Sequence, residues 1–166
     1  MRHVQLDAVV HDERRADVFE RIVQWERYAD LAPHVQSTTV HRGRPSPTGS
    51  SSWELHFRSG LLRWTETERF EPEDGEVHFE QTEGDFDSFS GRWLLTERGD
   101  DVEVSFTCDF DFGIPSLEGI LDPIAERVIK ETVAWALAGR FARVRLVGEP
   151  DPGDPGTSAA GLPATA

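Results

Sequence analysis

The segment RWTETERF, Arg63 to Phe70, places two carboxylates and two guanidinium groups within eight residues. It is the one closely spaced ionisable set embedded in an otherwise aromatic, alternating stretch. If Trp64 and Phe70 point inward from a strand, a period of two sends Glu66 and Glu68 inward as well. Carboxyls against aromatic walls are desolvated, which raises their pKa values and suits them to general acid and base work. The bland reading is a charged edge strand, with Arg63, Glu66, Glu68 and Arg69 paired on a wet face for negligible gain.

A second signal is aromatic. Among five tryptophans and ten phenylalanines, Trp53, Phe57, Trp64, Phe79, Phe89, Trp93, Phe106, Phe110 and Phe112 fall on one face of the strands that alternation predicts. Singly, each is most simply a core filler. As a set, with Trp135 from a late helix, they describe an aromatic-lined pocket in which a flat ligand stacks while hydrogen bonds orient it. Other chemistry has no signature here. Gly-rich phosphate loops, HExxH, CxxC and GxSxG are all missing from the sequence. His3, His11, His34, His41, His56 and His78 lack metal-ligand spacing and read as surface or turn residues. The single cysteine, Cys108, lies on the apolar side of a strand with no adjacent base, so it reads as core. No metal and no organic cofactor is expected.

The elements that must position these residues follow from periodicity. Val4, Leu6, Ala8 and Val10 alternate as a first strand, and Arg15 to Ala32 reads as one helix or two short ones closing at Pro33. From Val35 to Phe112 the alternation is continuous, most clearly at Val102, Val104, Phe106, Cys108, Phe110 and Phe112. Ser116 to about Val147 then reads as one long helix, with Ser116 as cap and Pro123 as a kink or restart. This order predicts an α+β fold: a curved antiparallel sheet of about seven strands wrapped around a long C-terminal helix, with two short helices after the first strand and a cavity between sheet and helix. Residues 1–148 form one ligand-binding domain, and 149–166, rich in Pro, Gly, Ala and Thr, is expected to be a disordered tail. A net charge of −14 disfavours nucleic acid and anionic membrane surfaces. Without an 18-residue apolar run or a signal-peptide core, the chain is expected to be cytoplasmic, as a monomer or a homodimer.

Several stretches resemble the polyketide cyclase/dehydrase and coenzyme Q-binding branch of the START-like, helix-grip superfamily. VFERIVQWERYADLAPHVQSTTV is similar to its early helical signature, a Val-Phe pair, Glu-x-Tyr and Leu-x-Pro. GDFDSFSGRWLL resembles its Phe…Gly-x-Trp strand through Phe86, Gly91 and Trp93, and VSFTCDFDF with Leu121 and Pro123 resembles the last strand and helix start. The likeness spans about residues 2 to 145. It implies a helix-grip fold and a hydrophobic ligand in the cavity. For the aromatase/cyclases it further implies a polar residue and an arginine on the cavity face of the Arg63–Phe70 strand, matching Thr67 and Arg69. That parity is opposite to the one that faces Glu66 and Glu68 inward, and a bulge near Thr65 would admit parts of both sets.

Two functions are thus expected. One is an aromatase/cyclase-like enzyme that binds a poly-β-keto chain, released or tethered to an acyl carrier protein, and promotes aldol closure and dehydration. Arg69 would stabilise the enolate and Glu66 or Glu68 act as base. The other is a carrier or sequestering protein for a lipid, quinone or natural product, with the same cavity and no productive titratable group. A protein-binding module of the same fold would instead show a collapsed cavity and an exposed apolar patch.

Overall fold

Alternating burial organises the middle of the chain, because each strand there must keep one face dry and the other wet. The computed structural model describes residues 1–154. The elements run β1 (Arg2–Val10), α1 (Arg15–Ile22), a 3-10 turn (Trp25–Arg27), α2 (Tyr28–Leu31), β2 (Val35–Arg42), β3 (Thr48–Phe57), β4 (Gly60–Glu71), β5 (Glu76–Gly84), β6 (Ser88–Arg98), β7 (Asp101–Asp111), a second 3-10 turn (Pro115–Leu117), α3 (Glu118–Arg140) and β8 (Val144–Val147). The strands form one eight-stranded antiparallel sheet in the order β2-β3-β4-β5-β6-β7-β1-β8. The hairpins β2 through β7 follow the chain, and β1 closes the far side by pairing with β7, Leu6 opposite Phe106. This is the expected α+β, helix-grip layout.

The concave face of the sheet carries the buried core, and α3 lies over it. Asp122, Ala125, Ile129, Thr132, Val133 and Ala136 are buried at helical spacing along α3, a stripe turned to the sheet. Pro123 sits inside this helix without ending it. As the sixth residue of α3 it leaves the Gly119 carbonyl without its i+4 donor, a loss that the packing of the helix on the sheet outweighs. Ser116 does not cap the helix; no side-chain cap is made there.

The helix also ends earlier than periodicity predicted. At Phe141 the backbone turns extended, φ −129° and ψ 147°, and Val144–Val147 runs back along β1 with Val10 opposite Val144 and Asp7 opposite Val147. The physical reason is visible in Arg143-Val144-Arg145-Leu146. Its alternation of charge and apolar side chain suits the exposed edge of β1, whose backbone groups would otherwise lack partners. The eighth strand is therefore a correction to the expected seven.

Just beyond it, Glu149 pairs with Lys130 at 2.9 Å and the Gly153 carbonyl accepts the Trp135 indole N–H at 3.1 Å. The opening residues of the segment read as a tail thus lie against α3. The remainder of that reading, residues 155–166, falls outside the described residues. Among the described residues no helix is long and apolar enough to cross a membrane.

Candidate functional site

The antiparallel register of β3 and β4 builds the site. Down the inner face it sets Gly49 opposite Glu68, Ser51 opposite Glu66, Trp53 opposite Trp64 and Leu55 opposite Leu62. Glu66 is 5% exposed and Glu68 1%, so two acids stand side by side in the core. Their oxygens are met by a chain of neutral donors. The Trp64 indole N–H donates to Glu66 Oε1 at 2.8 Å, Ser51 Oγ donates to Glu68 Oε2 at 2.7 Å, and the Trp53 indole N–H donates to Ser51 Oγ at 2.9 Å. The two indoles stack with centroids 5.9 Å apart and planes within 3°. Glycine is required opposite Glu68: a Cβ on Gly49 would lie 2.8 Å from Glu68 Oε1, from the Phe70 ring and from the Arg42 carbonyl oxygen.

Burial drives the Glu66 carboxyl well above its ordinary value, and the hydrogen bond and charge of Glu68 push it further, against a smaller opposing effect of the Trp64 N–H. A proton on Glu66 also gives Glu68 Oε1, which has no other partner among the described residues, a donor. The pair therefore favours a neutral acid beside a second carboxyl, the arrangement needed to give and take a proton within one site.

Glu66 opens onto a cavity of about 60 Å³ between the sheet and α3. Its wall is Trp25, Tyr28, Trp53, Leu55, Trp64, Phe79, Phe89, Trp93 and Phe106, with Ile129, Thr132 and Val133 from α3. The volume is that of about two waters, so the aromatic side chains fill most of the concave face. A ring-sized ligand needs them to part. Close ring packing explains this: Phe79 stacks on Phe106 at 5.8 Å and Trp93 meets Phe106 edge-on at 4.9 Å. The Tyr28 hydroxyl donates to the Ile22 carbonyl at 2.8 Å, and burial pushes its pKa upward.

The expected site residues divide sharply. Trp53, Trp64, Phe79, Phe89 and Trp93 line the cavity together with Glu66, and Glu68 lies behind Glu66. Phe57 is half-buried and stacks on Phe112 at 5.8 Å, and Phe110 is fully buried against Phe86 and Phe112, both beyond the wall. Trp135 turns instead to the His34 ring, 4.9 Å away. Thr67 and Arg69 face outward, where Thr67 Oγ1 donates to the Gly49 carbonyl at 3.3 Å and Arg69 Nε to Glu71 Oε2 at 2.8 Å. The parity taken from the aromatase/cyclases is therefore corrected. Thr65 pairs with Glu83 and Glu66 with Gln81, so the extra residue of the irregularity is Thr82 on β5, and β4 alternates without a break.

Several wall residues, Trp25, Tyr28 and Thr132 among them, are not placed at the cavity by the sequence pattern. Trp25 and Tyr28 come from the helical segment, where spacing marks them only as buried. Thr132 sits among apolar neighbours on α3, its hydroxyl bonded to the Val128 carbonyl at 2.7 Å. His34, read as a surface or turn residue, is 2% exposed and bonds Glu131 at 2.9 Å; burial pushes its imidazole below the ordinary value. Cys108 is core, its thiol pushed upward by burial. As for metals, Glu71, Glu76 and His78 bring ligand atoms within 4.8 Å of one another. They sit on the outer face of the sheet, and Arg69 already occupies Glu71 while His78 bonds Glu76.

Solved structures share this architecture. The chain is similar to the protein TTHA0849 of Thermus thermophilus, with 23% identity over 83% of this chain and 92% of that one and a TM-score of 0.71. It is similar to the Zhui aromatase/cyclase of a Streptomyces species, with 17% identity over 84% and 93% and a TM-score of 0.72. A START superfamily protein of Mycobacterium smegmatis matches at 15% identity over 84% and 96%, with a TM-score of 0.67. At these identities the likeness is one of fold. Among curated proteins no sequence matches the chain. Residues 14–136, from the start of α1 through the cavity-facing stripe of α3, match the model of the polyketide cyclase/dehydrase and lipid transport family, and the chain belongs to that family.

Proposed function

We propose that the protein is an aromatase/cyclase-like enzyme that folds a poly-β-keto chain, free or tethered to an acyl carrier protein, and promotes its aldol closure and dehydration. The observation that carries this reading is the protonation-prone Glu66, backed by Glu68, on an otherwise aromatic wall. Family membership and the aromatase/cyclase among the similar folds support it. A carrier of apolar ligands has no use for a buried acid pair, which costs stability unless it does something.

The chemistry needs no redox partner. One carboxyl of the pair takes a proton from a methylene between two carbonyls, the resulting enolate carbon bonds to a distant carbonyl carbon, and that carbonyl oxygen takes a proton to become a hydroxyl. Loss of a second α-proton with departure of the hydroxyl as water, protonated by the acid, leaves a carbon–carbon double bond. Much of the rate comes from holding the chain bent against the rings.

The test is turnover of a synthetic poly-β-ketone thioester, followed by mass spectrometry. Glu66→Gln should lower the rate of cyclised, dehydrated product by roughly 10²-fold or more, and Glu68→Gln by a comparable factor. Wild-type rates in both variants would remove the pair from the chemistry. Ligand binding by the wild type without any turnover would make the protein a carrier.

A further inference from the structure

Besides Glu66, six side chains that carry a hydrogen-bonding group line the cavity, and four of them are committed within the protein. Tyr28 donates to the Ile22 carbonyl, Thr132 to the Val128 carbonyl, Trp53 to Ser51 and Trp64 to Glu66. Trp25 differs. It lines the cavity, it is 3% exposed, and its indole Nε1 has no partner among the described residues.

Trp25 is also firmly held. It opens the 3-10 turn, its carbonyl accepts the Thr38 hydroxyl at 2.9 Å, and its ring packs edge-on against Trp53 at 5.9 Å and tilted against Trp93 at 6.5 Å. A fixed, buried, unpaired N–H is unfavourable in an empty core and favourable only when an acceptor arrives. We infer that Trp25 is the ligand-orienting donor of the site, its indole N–H binding a carbonyl oxygen of a flat, otherwise apolar ligand across the cavity from Glu66. This rests on the proposed function and deepens it by naming the group recognised: a ketone or enol oxygen on an aromatic or pre-aromatic ring. In the reaction, the N–H would meet the oxygen on which negative charge grows as the carbonyl is attacked, a preorganised donor in a dry site.

The test uses 1-tetralone and tetralin, which share a carbon skeleton and differ by one carbonyl oxygen. The full chain, labelled with ¹⁵N, is titrated with each, and its tryptophan indole signals are followed, the Trp25 signal being the one lost in Trp25→Phe. Tetralone should move the Trp25 N–H proton downfield and tetralin should not. Trp25→Phe, which keeps an aromatic wall, should weaken tetralone roughly fivefold or more, the scale of one hydrogen bond, and leave tetralin within about twofold.

Equal weakening of both compounds, or an indole signal blind to the carbonyl, overturns the inference while leaving the pocket intact. If Trp25→Phe folds poorly, the Trp25 indole signal is assigned in the wild type by its through-space contacts to the Tyr28 and Trp53 rings, and its shift decides the matter. If neither compound binds, the inference and the ligand-site reading fall together. If tetralone binds through Trp25 but Glu66→Gln and Glu68→Gln cyclise at the wild-type rate, the inference stands and the catalytic role of the acid pair does not.

Discussion

Glu54 and Glu66 belong to one β-hairpin and differ in the face they occupy. On the outer face, Glu54 accepts Arg63 Nε at 2.7 Å and Ser37 Oγ at 2.8 Å, and these partners hold its carboxyl below the ordinary value. On the inner face, Glu66 meets an indole N–H and a second glutamate, out of water, and its carboxyl moves the other way. Residue type is the same, so the difference lies in what replaces water. A guanidinium and a hydroxyl favour the charged form, whereas aromatic rings and a neighbouring acid favour the neutral one. The hairpin thus makes a solvated ion pair and a proton-holding acid from one side chain.

The largest way to break this comparison is to remove the room that Glu68 occupies. Gly49→Ala puts a methyl 2.8 Å from Glu68 Oε1, the Phe70 ring and the Arg42 carbonyl, and Arg42 belongs to the neighbouring strand, which cannot yield freely. The cost should be about 2–3 kcal/mol, read as a lower urea midpoint at unchanged slope. A midpoint equal to the wild type would mean that the inner face is loosely packed and that the acids are not confined.

The next effect sharpens the contrast through pH. Glu66 binds its proton more tightly folded than unfolded, so its contribution is fully present below the ordinary glutamate value of 4.5 and is lost as pH rises toward the folded value. Across that window the wild type should lose about 1.4 kcal/mol per pH unit from this group. Glu66→Gln, which imitates the protonated acid, should flatten the slope and raise the melting temperature more at pH 8 than at pH 5. Glu54 tilts the profile the opposite way, since a lowered carboxyl loses its contribution as pH falls. A Glu66→Gln variant with the wild-type pH slope would show that Glu66 is ordinarily charged in the fold. More stable yet less active is the expected combination, because the acid is retained for chemistry at some cost to stability.

How much of this was legible in the chain can be traced residue by residue. Trp64 and Phe70 named the inner side of β4, and strict alternation carried Glu66 and Glu68 with them. The register could not be settled because a strand irregularity near Thr65 would have reversed it. The extra residue proved to be Thr82, in a polar run on β5 where no apolar side chain marks parity. β8 was hidden for a related reason: four alternating residues after 23 helical ones are too short a signal to outweigh a continuing helix. Trp25 and Tyr28 fall at a helical spacing that marks them as apolar-face residues and no more, and only the path of the turn after α1 brings them over the sheet. The size of the cavity was beyond reach, since it depends on how rings interlock and not on which face they share.

The smallest expected effect bears most directly on the parity of β4. Arg69 is the residue that the family resemblance placed at the cavity as a cation, and its side chain is 58% exposed and paired with Glu71 on the outer face. An exposed pair of this kind is worth little, because both ions keep most of their hydration and salt screens the rest. Arg69→Ala should therefore change stability by no more than about 0.5 kcal/mol and leave poly-β-ketone turnover within about twofold of the wild type. Thr67→Ala, on the same face, should behave alike. The informative comparison is with Glu68→Gln, one residue away and on the other side. If β4 keeps its alternation during turnover, loss of activity follows parity: large at 66 and 68, slight at 67 and 69. A tenfold or greater loss in Arg69→Ala with the fold intact would mean that the strand shifts by one residue when substrate enters and carries the guanidinium inward. The acid pair would then be the resting arrangement and not the working one.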